Sequence, residues 1–287
     1  MSPEEQAQIL DLAYDYVRYD KIAKGKLIAA ELNDRERELL LARSALDVVT
    51  TAPAIPPPAT RPDQGHGTTR LHLALGGDTG GDFLEFGWRA VHHDWLDPLP
   101  GYSDNFALEF GKLAGRHYHA DAGGEFFKLD QFQLIRLDNY EPRDDFFGSI
   151  SWNVTTGLEA LSVRPDDHSL MYVLRGGGGV SYRLGRAVLS YALLSADLAG
   201  SHRFKSDLNL ALGAEAGLRL NPGPQWRMQL GLRQLADVTR DDWDRTMLEF
   251  GQSWAVDHDL SLQLDVRRER LYDGWRSTVK AGVYVYF

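Results

Sequence analysis

A chain of 287 residues with 43% hydrophobic and 25% charged residues has the balance of a folded protein, which excludes a disordered or collagenous chain. Its formal charge of −10 argues against a nucleic-acid surface, which would show as a basic patch or stripe. The absence of cysteine removes disulfides, thiolate nucleophiles and thiolate zinc sites, and fits an exported protein.

Ser2-Pro3-Glu4-Glu5 reads as a helix start, with Ser2 as N-cap, Pro3 in the first turn and Glu5 completing a capping box. Leu10, Ala13, Tyr14 and Val17 recur at helical spacing up to about Gly25. Asn33-Asp34-Arg35-Glu36 opens a second helix with Leu39, Ala42, Leu46 and Val49 on one face. Residues 1–50 are therefore expected to form a helical hairpin, and the proline-rich stretch 51–67 a semi-rigid linker. Met1-Ser2-Pro3 carries no basic n-region or apolar h-region, so an export signal is expected outside these residues.

From residue 68 the period changes from 3.6 to 2 and stays there to Phe287. Twelve strands are predicted, over 69–76, 82–91, 105–119, 125–138, 149–162, 170–184, 187–198, 206–220, 225–236, 243–256, 259–271 and 275–287. One register is apolar, as in Leu71, Leu73, Leu75, then Leu84, Phe86, Trp88, then Leu208, Leu210, Leu212. The other carries charge and glycine, as in Glu85, Gly87, Arg89, then Arg227, Gln229, Arg233. No run reaches the roughly 18–20 apolar residues of a membrane-spanning helix, and mean hydropathy is −0.35, but a transmembrane β-barrel passes that test unseen because its two faces average out. Trp152, Trp226, Trp243, Trp254, Tyr272, Trp275 and Tyr286 fall near strand ends, where a membrane barrel places its interfacial girdles. The reading is an all-β fold with N-terminal helices: a 12-stranded antiparallel transmembrane β-barrel over 68–287, preceded by a periplasmic helical hairpin.

The C-terminus, Lys280-Ala281-Gly282-Val283-Tyr284-Val285-Tyr286-Phe287, resembles the assembly signal of bacterial outer-membrane barrels, with Lys280, Gly282, Val285 and Phe287 in its slots. The resemblance implies that outer-membrane lipid and the barrel assembly machinery are partners. Alternating apolar residues would face lipid, and Gly282 would let a neighbouring lumen side chain approach the backbone.

An even strand count puts both barrel termini on one side, expected to be the periplasm. The connections there include the two longest, His92 to Asp104 and Asn139 to Gly148, whereas porins usually carry short periplasmic turns. Function is thus expected to point inward. His92, His93, Asp94, Asp97 and Tyr102 in the first connection, and Arg143, Asp144, Phe146 and Phe147 in the second, mix charge with aromatics and suit a docking surface. The histidines and aspartates have metal-ligating or proton-transfer chemistry, but loop packing, with backbone capping and pairing to Arg143, accounts for them more simply. No Ser/His/Asp arrangement can be assigned, and the glycine run Gly176–Gly179 lies in a strand with no following helix, so it is not a phosphate loop. No catalytic residue, metal or cofactor is expected.

Leu-Asp-Leu-Ala-Tyr-Asp-Tyr at 10–16, Arg61-Pro62-Asp63 with Gly65-His66-Gly67 and Arg70, His93-Asp94-Trp95-Leu96-Asp97-Pro98 with Gly101-Tyr102, and Pro142-Arg143-Asp144 with Phe146-Phe147 and Ser151-Trp152 resemble the C-terminal part of bacterial proteins with an Lnb-type N-terminal periplasmic domain. In those proteins the upstream domain is similar to cysteine hydrolases and lipoprotein N-acyltransferases. With no cysteine, this chain lacks that catalytic domain and is not expected to be an enzyme. The resemblance implies an outer-membrane anchor and docking platform for a periplasmic catalytic domain, with His66 and Arg70 in its linker motif. A narrow solute channel and an autotransporter-type translocator barrel are the alternatives.

Overall fold

Strands that are apolar on one side and charged on the other, too many to stack on a small core, satisfy both faces by curling into a cylinder with paired edges. The computed structural model has this form, and describes residues 1–23, 34–51, 56–119, 127–161, 169–271 and 274–287. The strands are β1 (Arg70–Asp78), β2 (Gly81–His93), β3 (Phe106–Tyr118), β4 (Phe127–Asn139), β5 (Ser151–Leu161), β6 (Ser169–Leu184), β7 (Val188–Gly200), β8 (Leu208–Gly223), β9 (Trp226–Asp237), β10 (Arg245–Asp257), β11 (Leu260–Leu271) and β12 (Gly274–Tyr286). Each pairs antiparallel with its sequence neighbours, and β12 pairs with β1 to close the barrel, with Tyr286 opposite Arg70 and Ala281 opposite Leu75. Beyond that seam, Thr69 and Phe287 exchange backbone hydrogen bonds of 3.2 and 2.9 Å.

The apolar register faces outward. Leu73, Leu75, Phe86, Trp88, Leu194, Leu212, Leu230, Leu232, Leu262 and Val283 are all exposed, while Glu85, Arg89, Glu109, Asp197, Arg219 and Arg227 in the alternate register are buried. A leucine-covered exterior around a charged interior is the inverse of a water-soluble barrel and is that of a membrane-spanning one. No described helix is long and apolar enough to cross a membrane.

The aromatic positions need correction at two places. Trp226 and Trp254 pack together on the outside, with ring centroids 6.3 Å apart, and Trp275 is also exposed. Tyr286, however, alternates with outward Val285 and Phe287 and is buried in the lumen. Trp243 lies in the β9–β10 connection and is buried with Phe204, Met171, Val173 and Leu161. That end of the lumen is thus lined partly by apolar residues rather than by charge alone. Tyr272, and most of the connections 120–124, 163–169 and 272–274, lie outside the described residues.

The chain divides into two compact units, Met1–Pro58 and Ala59–Phe287. Residues 59–67, expected to be linker, belong with the barrel because the segment before β1 packs into its end, as described below. The first unit holds α1 (Pro3–Ala23) and α2 (Asp34–Ser44). Its capping box is formed: Glu5 N–H donates to Ser2 Oγ and Ser2 N–H to Glu5 Oε2. Arg43 joins the helices through Asp11 at 2.8 Å, and Lys21 pairs with Glu36. α2 stops before Leu46 and Val49, where Val48-Val49-Thr50 is a β-branched run that disfavours helix.

Placing a charge on the lipid face tests the inside-out assignment. Leu232→Arg, near the middle of β9, is expected to lower barrel stability in lipid by about 2–4 kcal/mol, measured by denaturant titration of the folded gel band. Gln229→Leu, on the lumen side of the same strand, is expected to leave membrane insertion intact.

Candidate functional site at the terminal end of the barrel

The end of the barrel that holds Arg70 and Tyr286 is built around one segment. The β2–β3 connection turns back into the lumen, so that Asp94, Trp95, Leu96 and Asp97 are all buried. Asp97 holds it there. Its Oδ1 accepts from Arg70 Nη1 of β1 at 2.7 Å and from the Tyr286 hydroxyl of β12 at 2.9 Å. Its Oδ2 accepts from Arg89 Nη1 of β2 at 2.5 Å and from the Asp94 backbone N–H at 2.7 Å. Burial opposes ionisation of Asp97, but the Arg89 and Arg70 guanidiniums outweigh it and hold the carboxyl well below its ordinary range.

The segment reaches the opposite wall as well. Arg227 of β9 donates to the Asp97 carbonyl at 2.8 Å, and its guanidinium lies 4.0 Å from the centre of the Trp95 ring. Arg219 of β8 lies 4.7 Å from the same ring and 4.2 Å from that of Tyr140. Arg136 of β4 pairs with Asp94 at 3.4 Å, and a Cβ on Gly251 of β10 would come within 2.8 Å of Leu96 Cδ1. Contacts to β1, β2, β4, β8, β9, β10 and β12 carry the segment across the full width of the lumen.

A second layer lies against this one. The Gly67 carbonyl accepts from His66 Nδ1 at 2.6 Å, which fixes the proton there and leaves His66 Nε2 to accept from His93 Nδ1 at 2.9 Å. His93 stacks on Tyr102 at 4.3 Å, and the Tyr102 hydroxyl donates to the His66 carbonyl at 2.7 Å. Burial, partly opposed by Asp97, lowers the pKa of His66 and favours its neutral form. Two glycines permit the approach. Gly101 has φ +87° and its α-carbon faces Gly65, where a Cβ would come within 2.9 Å of Gly65 Cα. A Cβ on Gly67 would collide with the Phe287 backbone.

His66, His93 and Asp97 bring three ligand-capable atoms within 4.8 Å of one another. The donor set does not suit a cation: both carboxylate oxygens of Asp97 already accept two hydrogen bonds each, and two of those four donors are guanidiniums.

Of the residues singled out in sequence, His66, Arg70, His93, Asp94, Asp97 and Tyr102 come together here, and His92 lies at the edge with its ring 5.4 Å from Tyr102. His93, Asp94 and Asp97 are buried, so they pack inward and do not present a surface. Arg143, Asp144, Phe146 and Phe147 lie apart, in the β4–β5 connection, where Asp144 caps the backbone of Phe146 and Phe147 at 2.8 and 2.6 Å. Asp94 and Asp97 of the first connection pair with Arg70, Arg89 and Arg136, and Asp104 with Arg183, rather than with Arg143. Lys280 pairs with Glu85 at 2.6 Å, Val285 and Phe287 face outward, and Gly282 makes room for the β1 backbone and Ala74 rather than for a long lumen side chain. Arg89, Arg219 and Arg227 fall in the charged register without having been assigned to this site, and Glu109 and the inward role of Tyr286 were not anticipated. Their signal was that the polar register places arginines at the strand ends facing the longest connection.

Above the inward segment is a chamber of about 670 Å³, running from Asp94, Leu96 and Arg219 to Asp78, Thr79 and Arg276 at the far end. Ion pairs line its wall. Arg175 bridges Glu159 and Asp197 at 2.7 and 3.0 Å, Arg233 holds Glu215 at 2.5 Å, and Glu85 accepts from Arg116 as well as Lys280.

A family model described as domain of unknown function DUF7840 matches residues 59–286, and a second, DUF7842, matches residues 1–55. No curated protein matches the chain. Among solved structures, the barrel is similar to the NanC porin, at 8% identity and TM-score 0.47 over 76% of this chain and 100% of that one. It is also similar to an outer membrane channel from Pseudomonas putida F1, at 12% identity and TM-score 0.42 over 80% and 100%. A third is the KdgM porin in complex with disordered oligogalacturonate, at 8% identity and TM-score 0.42 over 76% and 99%.

Truncating one partner of a buried ion pair leaves the other charge uncompensated, at a cost of about 3–5 kcal/mol. Asp97→Ala is expected to destabilise the barrel by that amount in denaturant titration and to expose the 94–104 segment to protease. Asp144→Ala, at an exposed turn, is expected to change stability by under about 1 kcal/mol.

Proposed function

The chain belongs to the DUF7840 family, and we propose that its barrel is a closed bacterial outer-membrane anchor that offers its terminal end to a periplasmic catalytic domain. The observation that carries this reading is the inward β2–β3 segment, locked by Asp97 and packed against both sides of the lumen at the end where the barrel begins and finishes. A lumen obstructed by Trp95 and Leu96 is poorly suited to passage, whether of solutes or of a translocated polypeptide. Both barrel termini share that end, and in this reading it faces the periplasm. Lys280, Gly282, Val285 and Phe287 serve recognition by the assembly machinery on the way into the membrane.

Docking is then assigned to the second connection. Phe146 and Ile150 are each 69% exposed and follow the charged Glu141–Asp145 stretch. A rim with apolar residues amid charge suits a protein partner. The resemblance to barrels that follow an Lnb-type domain supplies the kind of partner, a cysteine hydrolase or acyltransferase-like domain working at the inner leaflet. The chamber supports a second reading, a narrow solute channel, because about 670 Å³ of polar-walled space leads toward the far end.

The two readings separate in planar bilayers and in cells. The wild-type barrel is expected to show no steady conductance, with Asp97→Ala opening intermittent current. A photo-crosslinking residue at Phe146 is expected to capture a periplasmic polypeptide. Steady wild-type conductance with no crosslinked partner overturns the anchor reading in favour of the channel.

A further inference from the structure

The terminal end of the lumen carries more positive charge than its carboxylates balance. Arg70, Arg89, Arg136, Arg219 and Arg227 converge there, with Asp94, Asp97, Glu109 and Asp138 as their acids. Asp97 and Glu109 answer Arg70 and Arg89, and Asp138 is shared by Arg136 at 2.8 Å and Arg219 at 3.0 Å. Arg227 is the one left over. It is 2% exposed, and its hydrogen-bond acceptors are the Asp97 carbonyl and, at 3.4 Å, the Asn221 amide oxygen, both neutral. Among the described residues no carboxylate pairs with it.

Three buried donors around the same indole have no acceptor among the described residues: Arg227 Nη2, Arg219 Nη1 and Trp95 Nε1. They are held near one another because both guanidiniums press against the Trp95 ring, and Arg219 also borders the chamber. A desolvated guanidinium without a counter-charge is expensive, and forked N–H donors match the oxygens of carboxylates and phosphates.

From this we propose that Trp95, Arg219 and Arg227 form an oxyanion-binding site beside the chamber, reached past Arg219, the one of the three that borders it, and taking the carboxylate or phosphate group of a small solute that enters from the far end. The site neutralises Arg227 and places the rest of the solute in the polar-walled space above. The inference is independent of the docking role, since it concerns the lumen side of the inward segment.

The test is calorimetric titration of the refolded, detergent-solubilised full chain with inorganic phosphate, and separately with acetate, at constant ionic strength. Saturable binding of one anion per barrel is expected, weakened at least tenfold by Arg227→Met and by Arg219→Gln. Saturation by phosphate alone or by acetate alone identifies which group the site takes. If Arg227→Met does not fold, Arg227→Lys decides, because it keeps the charge and loses the fork: a tenfold weakening supports the site, and unchanged binding overturns it. No saturable heat from either anion, or equal binding by wild type and the arginine variants, also overturns it and leaves these donors to water.

Discussion

One carboxylate organises the terminal end of this barrel. Asp97 accepts four hydrogen bonds in a place with no exposure to solvent, two of them from guanidiniums on adjacent strands. Buried arginines on β1 and β2 depend on it together with Glu109, and without them the carboxylate would not enter the lumen. The mutual requirement explains why a polar, aspartate-rich connection lies inside the cylinder rather than over its rim. From that placement follow the position of Trp95 between strands, the support for His93 and Tyr102, and the floor of the chamber.

The rest of the lumen obeys the same rule at lower intensity. Carboxylates are shared between cations, as Asp197 is among Arg175, Arg233 and Arg245 and Glu85 between Lys280 and Arg116. Shared acids make the wall a network rather than a set of separate pairs, and such a network is rigid because moving any member uncovers another's charge. The apolar cluster around Trp243 and Phe204 departs from this pattern, and lies where the β7–β8 and β9–β10 connections meet through the Lys205 N–H and Asp241.

Much of the barrel was legible because its signal is local. Leu208, Leu210 and Leu212 alternate with Asn209 and Ala211 whatever happens elsewhere in the chain, so strand positions and the lipid face could be read directly. The terminal site was legible only as a collection. Arg70, His93, Asp94, Asp97 and Tyr102 stood out by composition, but whether Asp97 points outward or inward depends on Arg89 and Arg227, which are 8 and 130 positions away and look like any lumen arginine. Trp243 and Tyr286 were misread for a related reason. A strand-end aromatic can belong to the membrane interface or to the lumen, and for Tyr286 the register alternating with Val285 and Phe287 already favoured the lumen.

The seam between β1 and β12 has its own logic. Lys280 meets Glu85, Tyr284 stacks on His72 with ring centroids 4.7 Å apart, and Tyr286 reaches Asp97. All three partners lie on β1, β2 or the segment that follows them. The last strand therefore joins an edge whose inner surface already presents an acid, a ring and a second acid at fixed heights. A slip of two residues would keep the inside-outside alternation and the backbone ladder yet misalign every one of these contacts. Ring closure is thereby proofread by side chains near the start of the barrel, and a sheet that could otherwise close in several registers is committed to one.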